Sequence, residues 1–509
     1  MSGADDDGTS DAGSDVPARG ILDRFRDGDA GLIAVTMLLI YVLFAILTAL
    51  GPSEGPIVGS ILSNLQAITL WTALYAMLVL ALNLHWGYTG LFNIGVAGFM
   101  AIGIYAYAFM TVPKDPSRPG APPGLGVPQG FADAATGLLP FLDPGLASFL
   151  GLVAGIAVAI VVAMLAAGLV GAITALPALR LRADYLAIVT VALSEIIRLS
   201  LLSREMETFT LGTNLNFELG GIEFLPDVPV GTGAGRGIDI PINPTIPVKR
   251  VFYTNPGNPA AGDTTAVGDL VFGVLTAPPF GLRETTVSNL AYTLVLVGFV
   301  AAFYWLLVRI GNSPFGRVLK AIREDEIVAN SLGKDTRVFK VKVFVVGCAL
   351  MGLGGILWET RTGFTDPTST TMMPLQTFYI FIALIIGGAG SNTGSVIGGA
   401  LFAAVLFQGP LYFSRIVNKW IAIDTPPQTS HGALAEFASL DPTPLLAYVV
   451  SNVSWLRFII VGVVLIYVIQ NRPTGLLGHR KEEAASVSLS RRDRPSGGAV
   501  AADGGEDRE

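Results

Sequence analysis

Three histidines (His85, His431, His479) and one cysteine (Cys348) are scattered along 509 residues. A structural zinc site needs four nitrogen or sulfur ligands at close spacing, and a disulfide needs two thiols, so this set provides for neither. No metal is expected. Metal-assisted catalysis lacks its usual HExxH helix, and no paired cysteines or histidine cluster could supply a base instead. A phosphate-cradling loop reads GxxxxGK[ST]. The nearest stretch, SLGKDT at 331–336, lacks the first glycine and has Asp335 where the hydroxyl should stand. The chain therefore reads as neither an enzyme nor a self-contained ATP-driven pump, and no catalytic residues are assigned.

Other chemistry lies inside apolar runs, where a polar group is costly and usually retained for a reason. Glu195 and Arg198 sit three residues apart on one helix face. They could couple transport to an ion, but a mutually neutralising pair near the membrane boundary is the favoured reading. Two glycine-rich breaks are more informative. The first holds Gly87, Tyr88, Thr89, Gly90 and Asn93, and the second holds Gly387, Gly388, Gly390, Ser391, Asn392 and Gly394. Unwound backbone survives in a membrane only against protein or a water-filled cavity, where its polar groups can meet a solute. An inner gate beside a translocation path is one reading. Close helix packing by small residues has equal weight.

The elements that must position these groups are membrane helices. Apolar residues make up 51% of the chain and charged residues only 14%, against about 25% in soluble proteins. A spanning helix needs about 20 apolar residues. Runs of that kind occur at 31–50, 65–84, 91–110, 148–176, 184–203, 289–309, 341–358 and 456–470, with two shorter ones inside 376–413 separated by GGAGSNTG. The expected fold is an all-α polytopic membrane protein with about ten transmembrane helices.

With ten spans, both termini cytoplasmic, the strong basic clusters fall on one side, as retention of Lys and Arg in short cytoplasmic loops requires. These are Arg19, Arg24 and Arg26, then Arg180 and Arg182, then residues 317–337, and lastly Arg472, Arg480 and Lys481. The segment 204–288, with nine acids against five bases, falls outside. The expected organisation is an acidic disordered tail at 1–28, a transmembrane domain at 29–478 with a cytoplasmic loop at 310–340, and a second disordered tail at 479–509. The net charge of −7 argues against nucleic acid as a partner. The outer segment, with GTGAGRGIDIPINPTIPV and YTNPGNPAAGDTTAVGD, reads as loop with at most short strands or surface helices.

The cytoplasmic connection at 311–342 predicts an amphipathic helix. Ser313 can cap free amides, Pro314 is pre-set for a first turn, and Gly333 is a natural stop. Leu319, Ile322, Ala329 and Leu332 can share one apolar flank while Arg323, Glu324, Asp325 and Glu326 stay wet. Its acidic run would be repelled by anionic lipid headgroups, so docking into a protein groove suits it better.

GRVLKAIREDEIVANSLG strongly resembles the cytoplasmic loop of permease subunits of branched-chain amino acid ABC importers. The segments LNLHWGYTGLFNIGVAGFMAIGIYAYA, LPALRLRADYLAIVTVALSEIIRL, GGAGSNTGSVIGGALF and RPTGLLG also resemble blocks of that family, in its order, so the likeness covers about residues 65–478. The resemblance implies ABC ATPase subunits that hold ATP and magnesium, a second homologous permease and an external solute-binding protein, with no cofactor in this chain. It also implies that Gly316, Arg317, Ala321, Arg323, Glu324, Asp325 and Gly333 couple the chain to the ATPases. Leucine, isoleucine or valine is the expected cargo, with a urea or short-amide system as runner-up and a secondary amino acid carrier as the alternative from another class. His85 and Trp86 stand where small apolar residues would be expected.

Overall fold

Backbone amides in hydrocarbon must find partners within their own segment, so long apolar runs become helices. The computed structural model describes residues 29–51, 55–115, 121–178, 183–210, 229–254, 264–420, 429–438 and 441–477. The two tails, Arg180 and Arg182 lie outside them, as do parts of the 204–288 segment. Among the described residues, seven helices are long and apolar enough to cross a membrane: Asp29–Leu50, Ile57–Gly87, Pro144–Pro177, Tyr185–Leu202, Thr286–Asn312, Thr336–Glu359 and Asn392–Val417. Shorter apolar helices, Val96–Thr111, Pro374–Gly387 and Arg457–Asn471, occupy the other three expected positions. The protein is an all-α polytopic membrane protein.

We label the helices needed below α1 (Asp29–Leu50), α2 (Ile57–Leu82), α3 (Val96–Thr111), α4 (Pro144–Ala178), α5 (Ala183–Leu202), α6 (Glu284–Asn312), α7 (Pro314–Glu324), α8 (Glu326–Ser331), α9 (Thr336–Glu359), α10 (Pro374–Gly387), α11 (Asn392–Leu401) and α12 (Val453–Asn471). A helix apolar on every side belongs at a centre. The later half of α2, from Thr72 to Leu82, is buried throughout, as is most of α9 beyond Val343. By contrast α1, α4 and α5 keep many large apolar side chains exposed, as lipid-facing helices do. Glycines bring the central helices together: a Cβ on Gly103 of α3 would lie 2.4 Å from Gly352 Cα of α9. Such close crossings replace the hydrophobic drive that lipid removes.

Ahead of α6, the described residues of the 204–288 segment carry only short elements. They include a strand pair, β1 (Phe209–Thr210) against β2 (Pro229–Val230), and a helix at Ala266–Thr276. A third strand, β3 (Ile238–Asp239), pairs antiparallel with β4 (Phe364–Thr365) in the loop between α9 and α10. Asn243 Nδ2 donates to Thr360 O at 2.8 Å, so the segment is tied to that loop by side chain as well as backbone.

Glu195 and Arg198 form a two-pronged ion pair on α5, with Arg198 Nε 2.9 Å from Glu195 Oε2 and Nη2 2.5 Å from Oε1. Arg198 Nη1 also donates to Pro367 O at 3.2 Å. A carboxylate already held by two guanidinium donors is poorly placed to carry a coupling ion. Replacing Glu195 with Gln is expected to leave solute uptake within about twofold and insensitive to an imposed proton or sodium gradient, since pairs this exposed contribute about 1 kcal/mol or less. Gradient-dependent uptake that vanished in the variant would overturn this reading.

Candidate functional site

The two glycine-rich breaks and the connection after α6 meet at one end of the bundle. Helix α2 does not stop at Leu82 but widens into a π-helical turn over Asn83–Gly87. Such bulges free backbone groups, and here side chains recapture them. Asn83 Oδ1 accepts from Gly390 N at 2.8 Å, while its Nδ2 donates to Asn392 Oδ1 at 3.1 Å. Tyr88 OH donates to the same Asn392 Oδ1 at 3.0 Å. Thr89 Oγ1 turns back to His85 O at 2.6 Å. The break near residue 87 is thereby stitched to the break near residue 390.

Some of these glycines are closely packed and others turn the chain. Gly387 and Gly394 are packing residues: a Cβ on Gly387 would lie 2.0 Å from Gly394 O where α10 crosses α11. Gly90, Gly388 and Gly390 turn the chain at φ values of +70°, +104° and +94°. A side chain on Gly390 would be doubly unwelcome, because its Cβ would also lie 2.4 Å from Arg323 Nη1. Ser391 caps α11 by accepting from Gly394 N at 3.0 Å. The residues after α12 strap the hairpin from below, with Leu476 N and Leu477 N donating to Ile386 O and Gly387 O at 2.9 and 3.0 Å. That contact gives RPTGLLG a structural purpose.

The connection at 313–335 differs from the single helix expected. Asp325 adopts extended backbone (φ −155°, ψ 106°) and caps a second helix, its Oδ1 accepting from Ile327 N and Val328 N at 2.9 and 3.0 Å. The acidic run read as a wet face therefore contains a helix start. The break resets the helical phase, so the expected apolar flank splits. Leu319, Ile322 and Ala329 are buried, but Leu332 is 73% exposed and Ile327 78%. Glu326 is not simply solvated either: it pairs with Lys340 Nζ at 2.6 Å and accepts from Thr336 Oγ1 at 3.1 Å, pinning α8 to α9.

Gly316 faces the end of α6, where its N donates to Ser313 Oγ at 3.1 Å. Gly333 ends α8 at φ +76°. Arg317, Ala321 and Glu324 point outward and stay exposed, spaced by four and three residues on one side of α7. Arg323 is exposed, as expected, yet its Nη1 also donates to Gly87 O at 2.5 Å. One side chain thus joins the two-helix segment to the first break, which Asn83 ties to the second. Beside this junction Tyr88, Tyr304, Lys320 and Asn392 line a cavity of about 260 Å³.

Sequence reading passes over Asn83 and gives His85 no role. His85 is fully buried, stacked on Phe344 with ring centroids 4.9 Å apart and planes 4° apart. Its Nε2 lies 3.1 Å from Phe344 O and its Nδ1 3.2 Å from Asn93 Nδ2, partners that select the Nε2–H tautomer. Asn93 also holds Gly95 N at 2.9 Å. Trp86 packs edge-on to Phe92 and tilted to Phe381. The available signal was the polar pair Asn83 and His85 inside an otherwise apolar run.

A bundle of apolar helices whose interrupted ends are wired to a docked two-helix segment defines a polytopic membrane protein. The family described as "Branched-chain amino acid transport system / permease component" matches residues 64–423, and the chain belongs to it. Among its relatives, the high-affinity branched-chain amino acid transport system permease protein LivM of Escherichia coli (strain K12) is 27% identical over 331 residues, covering 65% of this chain and 60% of the relative. The Salmonella typhimurium LivM is 27% identical over 336 residues, 66% of this chain and 61% of that protein. The probable branched-chain amino acid transport permease protein LivM of Methanocaldococcus jannaschii is 25% identical over 419 residues, 81% of this chain and 93% of the relative. The match thus spans about three fifths of the length of the two enteric relatives. No solved structure matches.

Proposed function

We propose that this chain is the membrane subunit of an ATP-driven importer for branched-chain amino acids, forming part of the translocation path with a second homologous permease. ATP and magnesium belong to separate ATPase subunits, and an external solute-binding protein delivers the cargo. The observation that carries this reading is the reach of Arg323 from α7 to the carbonyl of Gly87. A motor that displaced α7 and α8 would pull on the π-turn of α2, and through Asn83 on the hairpin at Gly390. The exposed side of the segment suits a motor groove, combining Arg317 and Glu324 with the uncovered apolar Ile327 and Leu332. In this arrangement the segment faces the cytoplasm, and the breaks form an inner gate.

The test is uptake of labelled leucine by cells carrying the assembled transporter. Uptake should collapse when ATP is depleted and survive a protonophore that discharges the membrane potential. Uptake that survived ATP depletion and failed with the protonophore would instead mark a secondary carrier. Uptake of urea or a short amide in place of leucine would leave the ATP-driven mechanism standing and replace the substrate.

A further inference from the structure

At the end of the bundle away from α7, a cavity of about 340 Å³ descends between α2, α9, α10 and α12. That is near the small end of the range for ligand sites, about 300–1,000 Å³. Its inner wall is aromatic. Trp71 and Tyr75 of α2 pack against Trp358 at ring-centroid distances of 5.6 and 5.1 Å, and Phe407 lies 5.4 Å from Trp71. Its rim is charged. The Arg361 guanidinium carbon sits 5.0 Å over the Trp71 ring and that of Arg457 4.5 Å over Phe407, while Glu359, only 6% exposed, faces the same space.

These charges are not in contact with one another. Among the described residues no ion pair joins Glu359 to either arginine; the hydroxyls of Ser369, at 3.4 Å, and Thr371 hold its carboxylate, and Arg361 attracts it from a distance. Arg457 Nε and Gln376 Nε2 are buried with no hydrogen-bond partner. A buried guanidinium donor is costly when left unpaired, and a buried carboxylate held by hydroxyls alone has no cation in contact, so opposite charges held apart across one cavity favour a ligand that pairs with both. A ligand carrying a carboxylate and an ammonium on one carbon, with an aliphatic tail to lie against aromatic rings, meets every wall.

From this geometry we infer that the cavity is a binding site for a zwitterionic α-amino acid with an apolar side chain, its carboxylate on Arg457 and Arg361, its ammonium on Glu359, its side chain against Trp71, Trp358 and Phe407. The inference rests on the importer reading and adds to it that this subunit recognises the cargo chemically as well as passing it.

The test uses the full-length chain in lipid nanodiscs, with tryptophan emission followed as ligand is added. L-Leucine should change the emission saturably, whereas 3-methylbutylamine, which lacks the carboxylate, and 4-methylpentanoate, which lacks the ammonium, should not compete at tenfold higher concentration. Arg457→Gln and Glu359→Gln should each weaken leucine binding about tenfold or more, and Arg457→Lys, which keeps the charge, should weaken it less. Absence of saturable binding, equal competition by either half-ligand, or unchanged affinity in both glutamine variants would overturn the site. Leucine uptake by the assembled transporter, measured in parallel, separates the two readings: ATP-driven leucine import with unaltered KM in both variants sinks the pocket alone, whereas import of a solute that is not an amino acid sinks the substrate reading beneath it.

Discussion

Gly316→Trp is expected to abolish ATP-driven uptake, by a hundredfold or more, while the protein remains inserted in the membrane. A Cβ at Gly316 would lie 2.2 Å from Ile310 O, 2.6 Å from Gly311 O and 2.7 Å from Gly311 Cα. All three are backbone atoms at the end of α6 and cannot rotate away, so α7 must lift. Lifting it exposes Leu319 and Ile322, each worth about 1.5–3 kcal/mol of burial, and withdraws Arg323 from Gly87. The spanning helices do not depend on these contacts, which is why insertion should survive. Arg323→Gln is the finer version. It leaves α7 seated but removes a charge-assisted hydrogen bond, worth about 1.5–3 kcal/mol when buried and less at this half-open position, so uptake should fall about tenfold. Arg323→Lys can still reach the carbonyl and should recover part of the loss. Normal uptake of leucine by the Gly316→Trp protein, at wild-type abundance in the membrane, would refute the lever.

Which features could be read in advance follows from the range of the forces involved. Membrane spans are set by the length and polarity of a local run, so ten helices were visible in the chain, including the pair divided by GGAGSNTG. The joining of the two breaks was not, because Asn83 and Gly390 are 307 residues apart and their hydrogen bond is a matter of tertiary placement. Asp325 shows a different limit. Aspartate followed by a short apolar stretch is an ordinary helix start, but beside Glu324 and Glu326 it looked like one more solvated charge. The same masking hid Arg323, whose neighbours are wet while its own head group is spoken for. Of the residues tied by resemblance to motor coupling, Gly316 and Arg323 have a contact that explains their type. Arg317, Ala321 and Glu324 face outward, where a partner would have to supply the explanation.

His85 yields the sharpest stability prediction, through the glycine that makes room for it. A Cβ at Gly347 would lie 2.0 Å from His85 Nε2 and 2.5 Å from its Cδ2. The ring has nowhere to go: Phe344 stacks on one face, Phe344 O and the Asn93 amide hold its two nitrogens, and no part of it reaches the surface. Gly347→Ala should therefore cost about 1–3 kcal/mol for overpacking and a further 1–3 kcal/mol for the polar groups it leaves unpaired. The purified protein in detergent should lose its folded form many degrees earlier on heating, followed by monodispersity after a temperature step. The decisive comparison is a cycle. His85→Ala alone should also destabilise, since it empties the space and strands Phe344 O and Asn93. In the His85→Ala background, however, Gly347→Ala should cost little, because the clash is gone, giving an interaction energy of at least about 1 kcal/mol. Equal cost of Gly347→Ala in both backgrounds would mean that the glycine answers to the neighbouring backbone rather than to the histidine. With the predicted coupling, a single buried ring pinned between α9 and the first break accounts for both an unexpected histidine and a glycine about three turns from either end of its helix.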